Sequence, residues 1–178
     1  MREYKDADLD PWARASTLEG QRLRLEPLRV GHAAEMALVL GDPGLHRFTG
    51  GAPATREELV KTYTRQVVGP PDGSQRWLNW VVRRRADDQA VGTVQATLGR
   101  TDGRVVAEVA WVVGTPYQGN GYAAEGAQVM VDWIRAQGDV TVIAHVHPDH
   151  EASASVARSV GLSPSDTVVD GEVRWVGG

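Results

Sequence analysis

The sequence predicts a single α/β domain in which an antiparallel meander of strands feeds a crossover helix. Three observations carry this expectation. Val105 to Val113 is a run dominated by β-branched and aromatic residues, Pro116, Gly119 and Gly121 break it, and Ala127, Met130, Val131 and Ile134 then recur at helical spacing within Ala123 to Gln137. With 178 residues, of which 42% are hydrophobic and 24% charged, the chain can bury one good core.

Met1 to Gly20 is polar, alternates in charge and contains Pro11, so residues 1–20 read as an N-terminal arm ahead of a domain spanning 21–178. Trp12 and Leu18 are its apolar contacts, either with the body or with a partner chain. After a first strand come a helical segment from His32 to Leu40, a Gly-Asp-Pro-Gly turn at 41–44, and a helix near Thr55 to Val68. Thr55 with Glu58 gives that helix a capping-box start. Residues 69–74, Gly-Pro-Pro-Asp-Gly-Ser, form a loop by composition. Strands over Trp77 to Arg83 and Val91 to Leu98 follow, linked through Asp87 and Asp88, and Thr101 to Arg104 turns the chain into the central strand. Past the long helix the order is strand, helix, strand.

Composition narrows the function classes. There is no cysteine, which removes disulfides, thiolate metal sites and cysteine nucleophiles together. A net charge of −4 leaves no electrostatic footprint for nucleic acid, and Arg83-Arg-Arg85 reads as a solvated strand end. No stretch approaches the roughly 18 apolar residues of a membrane span. The start Met-Arg-Glu-Tyr-Lys-Asp has no apolar leader, so the expected location is cytoplasmic.

The richest segment is Trp111-Val-Val-Gly-Thr-Pro-Tyr-Gln-Gly-Asn-Gly-Tyr-Ala123, a strand joined to a helix by a glycine-rich turn. Glycines at 119 and 121 let backbone approach a ligand, and unpaired N–H groups of the first helical turn point at whatever sits there. A diphosphate fits such a turn. A P-loop is excluded, because Tyr122 and Ala123 follow Gly121 where Lys-Ser/Thr is required. A dinucleotide fingerprint fits poorly, since Pro-Tyr-Gln precedes the glycines two thirds of the way along the chain.

Gln118-Gly-Asn-Gly-Tyr-Ala123 resembles the Gln/Arg-x-x-Gly-x-Gly/Ala signature of the GNAT acyltransferase superfamily. Arg22-Leu-Arg-Leu-Glu-Pro-Leu28 is similar to the opening strand of its RimJ/RimL branch, the ribosomal-protein N-terminal acetyltransferases, and Ala107 to Val112 to its fourth strand. His147 to Ser153, ending in Val160-Gly-Leu162, resembles its second cofactor segment, and the matches run in family order over roughly residues 20–165. The resemblance implies a GNAT-like sheet, mostly antiparallel and splayed at a central strand pair. It also implies acetyl-CoA or another acyl-CoA as donor, no metal, and a small amine or a protein N-terminus as acceptor. Neither nucleic acid nor membrane is expected as a partner, and a homodimer is possible. Carried over by position, Trp111, Val112, Val113, Gln118, Gly119, Asn120, Gly121, Tyr122, Ala123, Ala124, His150 and Ser153 are the expected cofactor contacts. The pantetheine would pair with Trp111 to Val113, and the Val113 N–H is a donor for the thioester oxygen. The acceptor slot would involve His46 to Gly51, Tyr63 and Trp77 to Trp80, whose aromatics serve equally well as core.

The catalytic candidates are Glu108, His145 and Ser153. Glu108 occupies the place of an acidic residue in this branch and is the first choice of base, a salt-bridged strand carboxylate being the plainer reading. His145 matches by position a glutamate of some relatives and is the second choice, against a structural role. Ser153 is a cofactor contact, a proton donor or simply a first-turn helix residue. His150 departs from the asparagine usual there, and an unperturbed imidazole would titrate near pH 6.5. The tyrosine that protonates the leaving thiolate in many relatives is replaced by Ala157, leaving Ser153, Tyr117 or solvent for that step. His145, His147 and His150 have a spacing that a metal could use, yet no acidic or thiol ligand pattern accompanies them. A non-catalytic acyl-CoA-binding protein on the same fold is the alternative to an N-acetyltransferase.

Overall fold

The computed structural model describes residues 14–178. Its strands are β1 (Leu18–Glu19), β2 (Leu23–Pro27), β3 (Arg76–Arg84), β4 (Ala90–Thr101), β5 (Arg104–Val113), β6 (Val140–Val146), β7 (Ser163–Val169) and β8 (Glu172–Gly177). The helices are α1 (Ala33–Val39), α2 (Arg56–Val68), α3 (Tyr122–Ala136) and α4 (Glu151–Ser159). One eight-stranded sheet runs in the order β1-β2-β3-β4-β5-β6-β8-β7, and only β5 and β6 are parallel neighbours.

The expected α/β meander is therefore present, and α2 starts on the expected box: Thr55 Oγ1 accepts from Glu58 N–H while Glu58 accepts from Thr55 N–H at 2.7 Å. The C-terminus differs from expectation, since the single last strand is a hairpin turned at Asp170-Gly171, both with positive φ. The Asp-Gly pair was the signal for it. Trp12 lies outside the described residues. Leu18 is buried and pairs with Leu25, and Ser16 O accepts from the Trp80 indole at 2.8 Å.

Alternation along the strands sends side chains to two different cores. Leu78, Trp80, Val82, Val94, Ala96, Ala107 and Val109 pack with Met130, Val131 and Ile134 of α3 and Ala154 and Ala157 of α4. Val81 and Ala90 pack on the other face with Met36 of α1 and Leu59 and Tyr63 of α2. Trp80 is thus core, edge-on to Trp133, and its ring lies away from the α1–α2 face. The arginine triplet is not simply solvated either. Arg83 is largely buried, grips Glu35 of α1 through two bonds of 2.9 Å and also bonds Glu26. Burial alone would raise the Glu26 pKa, but the Arg83 hydrogen bond and charge hold it below the usual value. This cluster fixes α1 against β3.

Candidate active site

The turn after β5 is built to leave its amides open. A short 3₁₀ turn, Thr115–Tyr117, leads into Gln118, and Gly119 and Gly121 then take φ of 78° and 76°. A left-handed residue at each point is what turns the chain back into α3, and only glycine does this without cost. The first intrahelical bond is Glu125 N–H to Gly121 O at 3.1 Å. Among the described residues, the amides of Gly119 to Ala124 have no protein acceptor. Six unpaired amides around a helix N-terminus suit a diphosphate in charge.

Side chains brace this turn. Asn120 Nδ2 donates to Tyr117 O and Gln118 O at 3.0 and 3.2 Å, and Gln118 Nε2 donates to Val113 O at 3.0 Å, so both amides support the loop. Arg22 was not among the expected residues. Its Nη1 donates to Asn120 O at 2.8 Å, its Nε donates to Glu125 at 2.7 Å, and its guanidinium lies 5.0 Å from the Tyr122 ring centre. Burial would raise the Glu125 pKa, yet the Arg22 N–H and guanidinium outweigh it and hold the carboxyl below its usual value. Nothing in the local motif marks Arg22, which lies about a hundred residues upstream.

The splay expected in the sheet begins after Glu108 and Ile143, the last matched pair of β5 and β6. Gly114 N–H donates to Val91 O at 2.8 Å, so antiparallel alternation gives the Val112 main chain to Thr93 of β4. The main-chain groups of Val109, Trp111 and Val113 face the opened side. Trp111 and Val113 thus present main-chain groups at the opened edge, while Val112 offers only its half-exposed side chain. Across the opening the Trp111 indole donates to Ser153 Oγ at 3.0 Å, which leaves the serine its own proton to give.

His150 stacks on Phe48 at 4.3 Å between ring centres, with His147 tilted against the same ring. Burial, aided by the nearby His147, lowers the His150 pKa, which favours the neutral ring at neutral pH. The loop holding Phe48 therefore meets the segment from His147 to His150. Ala157 is fully buried and offers no hydroxyl here. Among the described residues no group of three or more His, Cys, Asp or Glu is placed to hold a metal ion.

The two candidate bases form one unit. Glu108 of β5 and His145 of β6 face the α1–α2 side and meet at 2.8 Å, His145 Nδ1 to Glu108 Oε1. Arg174, paired with His145 in β8, donates from Nε to His145 Nε2 at 3.5 Å. A donor at Nε2 makes that nitrogen the acceptor and places the ring proton on Nδ1, directed at Glu108. Half of the Glu108 side chain remains exposed, while that of His145 is 15% exposed. The carboxylate is accordingly the accessible member and the imidazole its support.

Along the same face lies a cavity of about 170 Å³ lined by Leu28, Leu40, Leu59, Tyr63, Gln66, Asn79, Trp80, Thr93, Val94 and Gln95. Tyr63 is buried, burial pushes its phenol up to about 12, and its hydroxyl has no partner among the described residues.

The sequence profile of the acetyltransferase (GNAT) domain matches residues 22–163. No curated protein matches the chain significantly. Among solved structures, a GNAT-family acetyltransferase from Bacillus anthracis superposes with a TM-score of 0.72 at 15% identity, covering 90% of this chain and 96% of its own. An acetyltransferase from Agrobacterium tumefaciens str. C58 also gives 0.72, at 19% identity over 100% and 99% of the two chains. RimL, a ribosomal L7/L12 alpha-N-protein acetyltransferase in complex with coenzyme A, gives 0.72 at 15% identity over 90% and 97%.

Proposed function

The chain belongs to the GNAT acetyltransferase family, and on that premise we propose that it transfers the acetyl group of acetyl-CoA to a primary amine by direct attack in a ternary complex, as a member of the RimJ/RimL-like branch. The observation that carries the reading is the row of open amides from Gly119 to Ala124 beside a splayed strand pair. Charge-assisted bonds of this kind contribute about 1.5–3 kcal/mol each, which gives a diphosphate a strong anchor without a lysine. The donor supplies a thioester whose thiolate departs. The β5 edge at Trp111 and Val113 would hold the pantetheine, and the Val113 N–H would meet the oxygen on which charge develops.

Glu108 takes the amine proton, directly or through one water, as the C–N bond forms and the C–S bond breaks. His145 keeps the carboxylate oriented and Arg174 keeps His145 in the donating tautomer. The thiolate takes its proton from water, directly or relayed through the Ser153 hydroxyl, which gives one proton and regains another from that water. A modest base suffices for an α-amine, whose deprotonation at pH 7 costs about 1.4 kcal/mol, against about 4.6 kcal/mol for a lysine amine. The chemistry therefore favours protein N-termini or small α-amines, and the likeness to RimL supports the same acceptor class. The reading places the protein in the cytoplasm, alone or as a homodimer, with neither nucleic acid nor membrane as partner. Among the described residues no helix is long and apolar enough to cross a membrane.

A free-thiol assay with acetyl-CoA and a panel of peptides and small amines tests the reading. Thiol release with one acceptor class supports it. Acetyl-CoA binding without release for any amine would favour the non-catalytic alternative.

A further inference from the structure

The chain between α1 and α2 is tied at two points to the segments proposed to hold the donor. At the first tie the Thr115 hydroxyl donates to the Asp42 carboxylate and, with the Gly44 N–H at 2.8 Å, holds that carboxyl below its usual value. The backbones meet closely there, since a Cβ on Gly114 would lie 2.5 Å from Val39 O. Tyr117 packs against both hydrophobic cores beside this joint. At the second tie Phe48 stacks on His150 at 4.3 Å and leans on His147. Thr115 follows β5 and His147 follows β6, the two strands that part after Glu108 and Ile143. Residues 42–48 therefore run from one side of the splay to the other, across its open end.

Resting on the transferase reading, we infer that Asp42 and Phe48 are positioning residues for the donor: the chain between them is a strap that fixes the spacing of the turn after β5 and the start of α4. Two observations carry this. The ties lie on opposite sides of the opening, so a shift of either segment pulls on the other through the strap. The strap is also stiff. Pro43 opens a 3₁₀ turn over Pro43–His46, Leu45 N–H donates to Asp42 O at 3.1 Å, and Arg47 N–H donates to Gly44 O at 3.3 Å. From the α3 face the Trp111–Ser153 bond bridges the same opening, so without the strap its width would rest on one neutral hydrogen bond. A pantetheine needs the two walls at one separation. Walls held there in advance spare the bound state the cost of ordering them.

The test is a double-mutant cycle on Thr115→Val and Phe48→Leu, read by calorimetric titration with acetyl-CoA and, in the apo protein, by urea midpoint, with circular dichroism to check folding. Each single variant is expected to weaken acetyl-CoA about fivefold. Independent ties would multiply to about 25-fold in the double variant, whereas a shared strap gives about fivefold to eightfold, because the second cut meets a strap already loose. Thr115→Ser and Phe48→Tyr keep the hydroxyl and the ring, and each should stay within about twofold of wild type. A multiplied loss in the double variant, additive urea midpoints, unchanged affinity in either single variant, or no rescue by Thr115→Ser would overturn the inference. The apo arm needs no donor and separates the two claims. Non-additive midpoints without any acetyl-CoA binding sustain the strap and fail the transferase reading, while binding with multiplied losses does the reverse.

Discussion

The proposed donor side and the proposed acceptor side of this molecule are built by opposite strategies. The donor side is contiguous backbone: Gly119 to Ala124 supply six amides from six neighbouring residues, and side chains such as Arg22, Gln118 and Asn120 only brace them. The acceptor side is made of side chains from distant strands and a helix, with Glu108, His145 and Arg174 on three strands and Tyr63 on α2. Backbone sites tolerate change in sequence as long as the turn forms, whereas a side-chain site changes its chemistry with every residue. On the proposed reading the first would hold one invariant group, a diphosphate, and the second would distinguish among amines.

If this division is right, substitutions on the two sides separate kinetically. The largest effect is expected from Glu108→Gln, which should lower kcat by about 100-fold or more while acetyl-CoA affinity stays within about threefold. Equal losses in both would mean that Glu108 shapes the site rather than acting on the amine. Arg22→Ala should do the opposite, weakening acetyl-CoA by about threefold to tenfold in a calorimetric titration with kcat nearly unchanged. The figure is kept low because half of the Arg22 side chain is exposed and screened. A smaller change, about threefold in kcat, is expected for Arg174→Gln, because its contact with His145 is long. No change would remove Arg174 from the relay.

The smallest effect is on stability. Burial lowers the pKa of both His150 and His32, the latter against the pull of Glu26. Each binds a proton more readily when unfolded, so their contribution is complete above about pH 6.5, the unfolded value, and declines as pH falls toward the lowered folded values. Urea midpoints should therefore fall between pH 7.5 and 5.5, and His150→Asn should reduce the slope. A midpoint that rises on acidification would contradict the buried, neutral state of both rings.

The same division explains what the sequence revealed. The meander, the capping box at Thr55 and the anion turn follow from residues close together in the chain, where spacing alone states the geometry. The terminal hairpin was equally local, and the Asp170-Gly171 pair marked it. The proposed base was visible only as two separate residues, Glu108 and His145. That they share a hydrogen bond depends on the β5–β6 register, which no local pattern encodes. Arg22, Arg174 and the burial of Arg83 were hidden for the same reason, because each acts through partners 29 to 103 positions away.

The central claim is that open amides in the turn bind the donor's diphosphate. Calorimetric titration of acetyl-CoA into wild-type protein and Gly121→Val, with circular dichroism to confirm that both are folded, tests it most directly. Gly121 sits at φ of 76°, where a β-branched residue is strained, so the variant must turn its amides away. The account predicts micromolar to submillimolar binding by the wild type, roughly 1 μM to 1 mM, weakened at least about tenfold in Gly121→Val. Equal affinity in the two folded proteins, or no binding by the wild type, would contradict it.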